Sequence, residues 1–242
     1  MTVLSGLLNL VYPAVCGICE AKLADGTDSG LSVCDKCLSG IKRNKPPFCR
    51  RCGRSLYGAA ESVEACGECY GRRFYYERSW SCLIYEGIAK ETLHLLKYSK
   101  KLSFGAVFCE LFVRFIRENP EIISGMDAVI AVPLHGAKLR EREFNQAHLL
   151  AKAIVKEFDL RDLSRYLIRA YPTRPQSKLD KSERLKNVKD TFKAIEISFL
   201  RDKNILLADD LFTTGATLNE CAKILKEAGV KKIHCLTFAR GA

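Results

Sequence analysis

Two adjacent aspartates follow the most apolar stretch of the sequence, and small hydroxylated residues come directly after them. The segment ILLADDLFTTGAT, residues 205–217, contains Asp209 and Asp210 followed by threonines around a glycine. Adjacent carboxylates repel each other, and both need partners when they leave water. The pair therefore predicts a site to which a polar or cationic molecule comes.

The turn after the aspartates has the composition of a phosphate site. Backbone N–H groups, three hydroxyls and the positive end of a helix dipole converge where the next helix is expected to start. Carboxylates accept hydrogen bonds from the neighbouring hydroxyls of a sugar. The whole segment therefore suits a ribose 5-phosphate. The predicted phosphate turn consists of Thr213, Thr214, Gly215, Ala216 and Thr217.

Two other interpretations of this segment are weaker. A hydrophobic strand ending in two acids also resembles a Walker B segment that holds Mg²⁺, but the sequence contains no GxxxxGK[ST] motif. An acidic turn that only caps a helix would not explain the threonines and the glycine after the acids.

Four CxxC units in the first 69 residues form the second group with chemical potential. The units are separated by 14, 11 and 13 residues. Each CxxC turn points two sulfurs at one centre, and two turns complete a tetrahedron around Zn²⁺. Four thiolates leave no open coordination position, so we predict two structural zinc sites. The ligands are Cys16, Cys19, Cys34, Cys37, Cys49, Cys52, Cys66 and Cys69.

The sequence leaves the pairing of the CxxC units open. Consecutive use gives two compact ribbons, whereas crossed use is the less favoured alternative. A disulfide framework would require an oxidising compartment, which nothing in the sequence indicates. The other four cysteines lie in apolar patterns and are expected to be core thiols: Cys82, Cys109, Cys221 and Cys235.

The charge is strongly positive and uneven. The formal net charge of the 242 residues is +11, and residues 138–193 hold 15 Lys and Arg against 8 Asp and Glu. Such a block is typical of a solvated face, and it also attracts phosphates or nucleic acid.

Composition and termini indicate a globular protein without a membrane span. Hydrophobic residues make up 48% and charged residues 28% of the chain. The start of the chain lacks a basic region before its apolar residues, which argues against a signal peptide. A short amphipathic helix carrying Leu4, Leu7, Leu8 and Val11 is the preferred interpretation. We expect a cytoplasmic protein.

The rest of the chain alternates between strands and helices. This alternation predicts an α/β domain at 78–242 with a mainly parallel sheet, preceded by a cysteine-rich zinc-ribbon domain at 1–77. Strands are predicted at residues 78–86, 127–132, 164–170, 203–209 and 232–239, and helices at 88–98, 104–117, 146–158 and 217–228.

Residues 205–217 resemble the signature with which type I phosphoribosyltransferases bind 5-phosphoribosyl 1-pyrophosphate (PRPP). Together with the cysteine-rich module, nearly the whole chain resembles the ComF/GntX family of phosphoribosyltransferase-like competence proteins. Further landmarks are Pro133 after a core strand, REREFNQA at 140–147 and RPQSKLDKSERLKNV at 174–188. One departure is Glu143, where the family usually has a glycine.

The resemblance implies a sheet with helices on both faces and assigns roles by position. Asp209 and Asp210 would contact the ribose hydroxyls and serve as the catalytic pair, and the turn at 213–217 would hold the 5-phosphate. The turn after Val132 would bind pyrophosphate with nearby arginines: Pro133, Leu134, His135, Arg140 and Arg142. A flexible loop would close over the site with Gln176, Lys178, Arg184 and Asn187.

The resemblance also implies Mg²⁺ bound with PRPP and a role in DNA uptake or nucleic-acid-linked metabolism. The acceptor of the ribose remains open, and so does turnover. The alternative is a PRPP-sensing regulatory or nucleic-acid-binding protein without catalysis. Single-stranded DNA and proteins of the competence machinery are the partners that either alternative implies.

Overall fold

The computed structural model describes residues 15–23, 33–58, 64–98, 102–171 and 190–241. The amphipathic helix predicted at the N-terminus and the loop predicted at 176–187 lie outside these ranges. The strands within these ranges are β1 (Arg78–Ile84), β2 (Ala128–Ala131), β3 (Arg161–Asp162), β4 (Leu167–Arg169), β5 (Phe192–Ala194), β6 (Asn204–Phe212) and β7 (Lys232–Arg240). The helices are α1 (Asp35–Gly40), α2 (Gly87–Tyr98), α3 (Leu102–Glu118), α4 (Gly136–Arg142), α5 (Gln146–Phe158) and α6 (Ala216–Glu227).

Five strands form a parallel sheet in the order β1-β7-β6-β2-β3. The central strands have continuous runs of buried residues because both of their faces are covered. Helices α3 and α5 pack on one face, and α6 packs on the other. The predicted α/β architecture with a parallel sheet is therefore confirmed.

The predicted third strand is only partly right. Within 164–170, residues 164–166 form a 3₁₀ turn, and β4 leaves the sheet to pair antiparallel with β5 in a separate hairpin. The buried hydroxyl of Ser164 accepts the N–H of Ala131 at 2.9 Å, so a side chain replaces a backbone partner there. The short β3 takes the edge position beside β2 instead.

Helix α4 was not predicted, because residues 136–142 show no apolar stripe of their own: all of them are exposed or half-buried. Strand β6 also extends past its predicted end at 209 to Phe212. Leu211 and Phe212 remain paired with Ala239 and Arg240 of β7, and the Phe212 ring is buried.

The cysteine-rich segment covers the outer edge of β1. Backbone N–H groups of Asn44, Ile84 and Ser79 connect residues 42–50 to β1 at 2.8–3.1 Å. The buried Asn44 amide donates to the carbonyls of Gly53 at 2.6 Å and Ser81 at 2.9 Å. Edge strands are prone to unwanted pairing, and this segment protects β1 from it. The domain division at residue 77 remains a prediction.

Among the described helices, none is both long and apolar enough to cross a bilayer.

Gly53 lies where the cysteine-rich segment comes closest to β1. Its φ is +67°, and a Cβ there would lie 2.9–3.0 Å from backbone atoms of Trp80 and Ser81. Gly58 also has a positive φ, of +83°, but nothing lies within 4 Å of its Cβ position. Substitutions at the two glycines therefore distinguish the cost of backbone strain alone from the cost of strain combined with a steric clash.

We expect Gly53→Ala to lower the free energy of unfolding by about 3 kcal/mol, since strain and overpacking add. Gly58→Ala, with strain alone, should cost about 1 kcal/mol. Urea denaturation of both variants measures the difference. Equal losses would show that the close approach of Gly53 to β1 does not matter for stability.

Candidate functional site

Asp209 and Asp210 lie where β6 extends beyond the end of its neighbour β2. The ladder between these strands ends at Ala131 and Ala208, while the ladder to β7 continues beyond the aspartates. Both side chains are half-buried. They stand at the carboxyl edge of the parallel strands, which is where α/β sheets bind ligands.

The two carboxylates lie on opposite faces of the sheet, because the side chains of successive strand residues alternate between the faces. Asp209 lies on the face covered by α6, where burial first and the charge of Asp209 second raise the pKa of the Cys221 thiol. Asp210 follows on the other face, and its N–H donates to Asp209 Oδ1 at 2.8 Å. Alternation thereby reduces the repulsion between adjacent charges.

Arg169 at the end of β4 is a cation near the acid pair that the sequence interpretation missed. Burial lowers the pKa of its guanidinium, and the negative charge of the Asp209 carboxylate opposes that shift. The guanidinium lies 5.2 Å from the centre of the Phe192 ring. An arginine inside an apolar strand pattern was the available signal.

The turn at 213–217 connects β6 to α6 as expected for a phosphate site. Gly215 caps the helix with a φ of +74°, and Thr214 Oγ1 accepts the N–H of Ala216 at 3.3 Å. A Cβ on Gly215 would lie 2.6 Å from the Phe212 ring, so a larger residue would have to displace that ring. Thr213, Thr214 and Thr217 are half-buried and so partly open to solvent, whereas Gly215 and Ala216 between them are buried.

The turn after β2 lies directly beside the aspartates. The N–H of Val132 donates to the carbonyl of Ala208 at 2.8 Å, and the half-buried Pro133 and Leu134 then lead to α4. His135 caps this helix, its Nδ1 accepting the N–H of Ala137 at 3.3 Å.

The arginines of α4 extend this side of the site. The Arg140 guanidinium folds back to within 3.5 Å of the Cβ position of Gly136, at the start of the helix. Arg142, in the last turn, is half-buried. Glu143 ends the helix with a φ of +66°, a conformation that glycine adopts more easily. Glu143 therefore has a backbone conformation in which glycine is the favoured residue.

Two further polar residues lie behind the turn at 132–135. Asn145 donates from Nδ2 to the Val132 carbonyl at 2.9 Å and caps α5 through Ala147 N–H at 3.1 Å. Gln146 is 1% exposed, and within the part of the chain that the structure describes its Nε2 has no acceptor.

The structure resolves the pairing of the cysteines. Cys16, Cys19, Cys34 and Cys37 form one cluster, and Cys49, Cys52, Cys66 and Cys69 form the other. The consecutive pairing predicted as the preferred arrangement is therefore confirmed.

The sulfur geometry of both clusters fits a tetrahedral Zn²⁺. Sulfurs bound to zinc at about 2.3 Å lie about 3.8 Å apart. The Sγ atoms of Cys19 and Cys34 are 3.6 Å apart, those of Cys52 and Cys66 are 3.7 Å apart, and each set lies within 4.8 Å. Backbone N–H groups also donate to sulfur, at 3.3 Å from Cys34 to Cys16 and from Cys66 to Cys49.

Within each cluster, the pKa values of the thiols are shifted in opposite directions. Burial raises the pKa of Cys16, but backbone N–H groups outweigh it and bring the value to about 6. A hydrogen bond from Cys52 lowers the pKa of Cys49 to about 4, whereas burial and the Cys49 charge raise that of Cys69 to about 12. A cation stabilises all four thiolates together, so the donor set is consistent with structural zinc.

Comparisons with family models divide the chain in the same way as its sequence motifs. Residues 7–70 match a double zinc ribbon domain, and residues 147–242 match a phosphoribosyl transferase domain.

Curated relatives resemble the chain over most of its length. Competence protein F of Haemophilus influenzae is 29% identical over 86% of this chain and 90% of its own length. The DNA utilization protein YhgH of Escherichia coli O6:H1 is 26% identical, over 96% and 99% respectively. Competence protein ComFC of Bacillus subtilis is 27% identical, over 90% and 91%.

Both family models agree with the geometry. The two cysteine clusters fall in the zinc-ribbon match, and the acid pair with its phosphate turn falls in the phosphoribosyltransferase match. The chain therefore belongs to the ComF/YhgH family, in which an N-terminal double zinc ribbon precedes a phosphoribosyltransferase domain.

Proposed function

We propose that the chain binds PRPP at the carboxyl edge of its parallel sheet. The observation that carries this proposal is the acid pair, which is half-buried beyond the end of β2 and is separated by two residues from the turn at 213–217, where α6 begins. Carboxylates suit the ribose hydroxyls, and the helix start suits the 5-phosphate. A ribose 5-phosphate presents both groups on one molecule.

Each part of the site would hold one part of PRPP. Asp209 and Asp210 would accept from the ribose hydroxyls, and residues 213–217 would bind the 5-phosphate. The turn at 132–135 would bind pyrophosphate, with Arg140 and Arg142 offsetting its charge. The loop with Gln176, Lys178, Arg184 and Asn187 would close the site; this last role is supported by the sequence.

A transfer reaction at this site would need little from side-chain acids and bases. Pyrophosphate would leave C1 of the ribose as a nucleophile of the acceptor attacks the same carbon. The chain's residues would position the sugar, offset the charge of the leaving group and exclude water. Mg²⁺ bound with PRPP would neutralise part of the pyrophosphate charge. A PRPP sensor without turnover would use the same contacts.

The double variant Asp209→Ala/Asp210→Ala should weaken PRPP binding at least about 100-fold, because hydrogen bonds to charged groups contribute about 1.5–3 kcal/mol each. Isothermal titration calorimetry with PRPP and Mg²⁺ measures this, and zinc content should stay unchanged. Asp127→Ala is the control: it removes a carboxylate that accepts the Asn204 N–H at 2.7 Å, at the opposite edge of the sheet. Wild-type affinity in the double variant would refute the assignment.

We also propose that both cysteine clusters hold structural zinc. The purified chain should contain about two zinc ions, measured by atomic emission, and a serine replacement in either cluster should remove about one. Because four thiolates fill the coordination shell, no position on the zinc should be left for a substrate to bind. A metal content near zero with intact secondary structure would overturn this proposal.

A second candidate function is binding of single-stranded DNA by the second cysteine cluster region. Tyr57 and Tyr70 are 85% and 86% exposed there, and Arg72 and Arg73 lie 5.2 and 5.1 Å from neighbouring aromatic rings. Exposed aromatics beside cations are the usual platform for unpaired bases. The names of two relatives, competence protein F and DNA utilization protein YhgH, support this candidate.

The double variant Tyr57→Ala/Tyr70→Ala should lower affinity for oligo(dT) about tenfold or more, since each stacked base contributes about 1–3 kcal/mol. Fluorescence anisotropy measures the affinity. The logarithm of the association constant should fall linearly with the logarithm of the salt concentration. Phe199→Ala, which removes an aromatic ring that is 51% exposed and lies outside the cysteine-rich segment and the basic block, is the control. A flat salt response would remove this candidate.

A further inference from the structure

The two cysteine clusters belong to different cores. Cys16 and Cys37 of the first cluster pack with β1, α2 and α3 on one face of the sheet. All four cysteines of the second cluster pack in the core on the other face, together with Phe212, Ala216 and Leu218. The second cluster therefore shares a core with the predicted phosphate turn.

A first link runs from the residues after Cys69 to the turn itself. Arg72 donates from Nη2 to the carbonyl of Thr214 at 3.2 Å. Its guanidinium also lies 5.2 Å from the centre of the Phe74 ring, which packs beside the second core. The arginine is thus held on its own segment while it fixes one carbonyl of the turn.

A second link passes through Asn219 in the first turn of α6. Its Oδ1 accepts the N–H of Tyr75 at 2.8 Å, and its Nδ2 donates to the carbonyl of Arg73 at 3.4 Å. The Asn219 N–H donates to the carbonyl of Gly215 at 2.9 Å. One residue thereby ties the segment after the second cluster to the glycine of the phosphate turn.

A third link starts at a zinc ligand. Arg240, 5% exposed, donates from Nη1 to the carbonyl of Cys52 at 2.8 Å. Its guanidinium lies 5.5 Å from the centre of the Phe212 ring. That ring is the one that would meet a Cβ on Gly215. The second cluster thus reaches the turn by another route, through Arg240 and the Phe212 ring.

We propose that the second cysteine cluster is a positioning element of the phosphate turn, so that zinc at Cys49, Cys52, Cys66 and Cys69 sets the affinity for ribose phosphate. The ligand part of this proposal rests on the proposed function; the coupling to the turn does not. Asn219, Arg72 and Arg240 act as positioning residues, since they hold the turn and need not touch the ligand.

The physical reason is that the metal cross-links a part of the chain that has little regular secondary structure. Residues 49–76 contain no helix or strand among those described, so zinc is the cross-link that keeps Cys52 and the segment at 72–75 in place. Without it, these partners lose their fixed positions and the turn gains alternative conformations. When the turn is less ordered, the apparent affinity falls in proportion to the fraction of time that the turn spends in the conformation that binds the ligand.

The first experiment compares Cys69→Ser with Cys37→Ser, each of which should lose about one zinc. Cys69→Ser should weaken PRPP·Mg²⁺ binding about tenfold or more, whereas Cys37→Ser should change it less than about threefold. Hydrogen–deuterium exchange of residues 212–219, measured without ligand, should accelerate only in Cys69→Ser. Equal effects of both variants on this exchange would overturn the coupling.

A second pair of variants leaves both zinc sites intact, which covers the case in which Cys69→Ser does not fold. Asn219→Ala removes the side-chain link to Tyr75 and Arg73 and should weaken PRPP·Mg²⁺ binding about tenfold while accelerating exchange at 212–219. Asn204→Ala is the matched control, because it removes a 2.9 Å side-chain bond to the Gly125 carbonyl at the opposite end of β6. Unchanged exchange in Asn219→Ala refutes the positioning role.

The exchange measurement separates this inference from the proposed function. If the wild-type chain fails to bind PRPP, the proposed function is wrong, yet faster exchange of 212–219 in Cys69→Ser and Asn219→Ala still supports the coupling. If PRPP binds and all four variants bind it equally, the site stands and the coupling is wrong.

Discussion

The ladder between β2 and β6 stops at Ala131 and Ala208, while the ladder between β6 and β7 continues to Phe212 and Arg240. This mismatch in length places two acids on a strand that is fixed on one side and open on the other. A carboxylate held in this way keeps its direction without a partner strand beside it. The turns at 132–135 and 213–217 leave from the two sides of the same opening, so the rest of the candidate site depends on where this ladder ends.

Cations approach the site from three parts of the chain that are distant in sequence. Arg169 comes from the separate hairpin, Arg140 from α4 and Arg72 from the segment after the last cysteine. Arg169 lies over the Phe192 ring, and Arg72 donates to the carbonyl of Thr214. A site for a ligand with several phosphates requires such dispersed positive charge, because clustered free arginines would repel one another.

The cysteine clusters give the N-terminal region a role in both cores. Its backbone extends the sheet beside β1, and each cluster packs against a different face. Metal cross-links allow this with little regular secondary structure, since a tetrahedral centre fixes four points of the chain at once. The position of Gly53 against the backbone of Trp80 and Ser81 shows how closely the two regions meet.

Local chemistry explains what the sequence by itself determined. Consecutive CxxC turns, an apolar run ending in two acids and the helix of residues 146–158 each depend on near neighbours, and each has the predicted place in the structure. Only the tertiary structure decided that β4 leaves the sheet, that Arg169 comes close enough to Asp209 for its pKa to respond, and that Arg72 bonds to the turn at 213–217. These features join residues up to 188 positions apart, as in the bond from Arg240 to Cys52. No local pattern records such a contact, because it depends on which faces the sheet leaves to be covered.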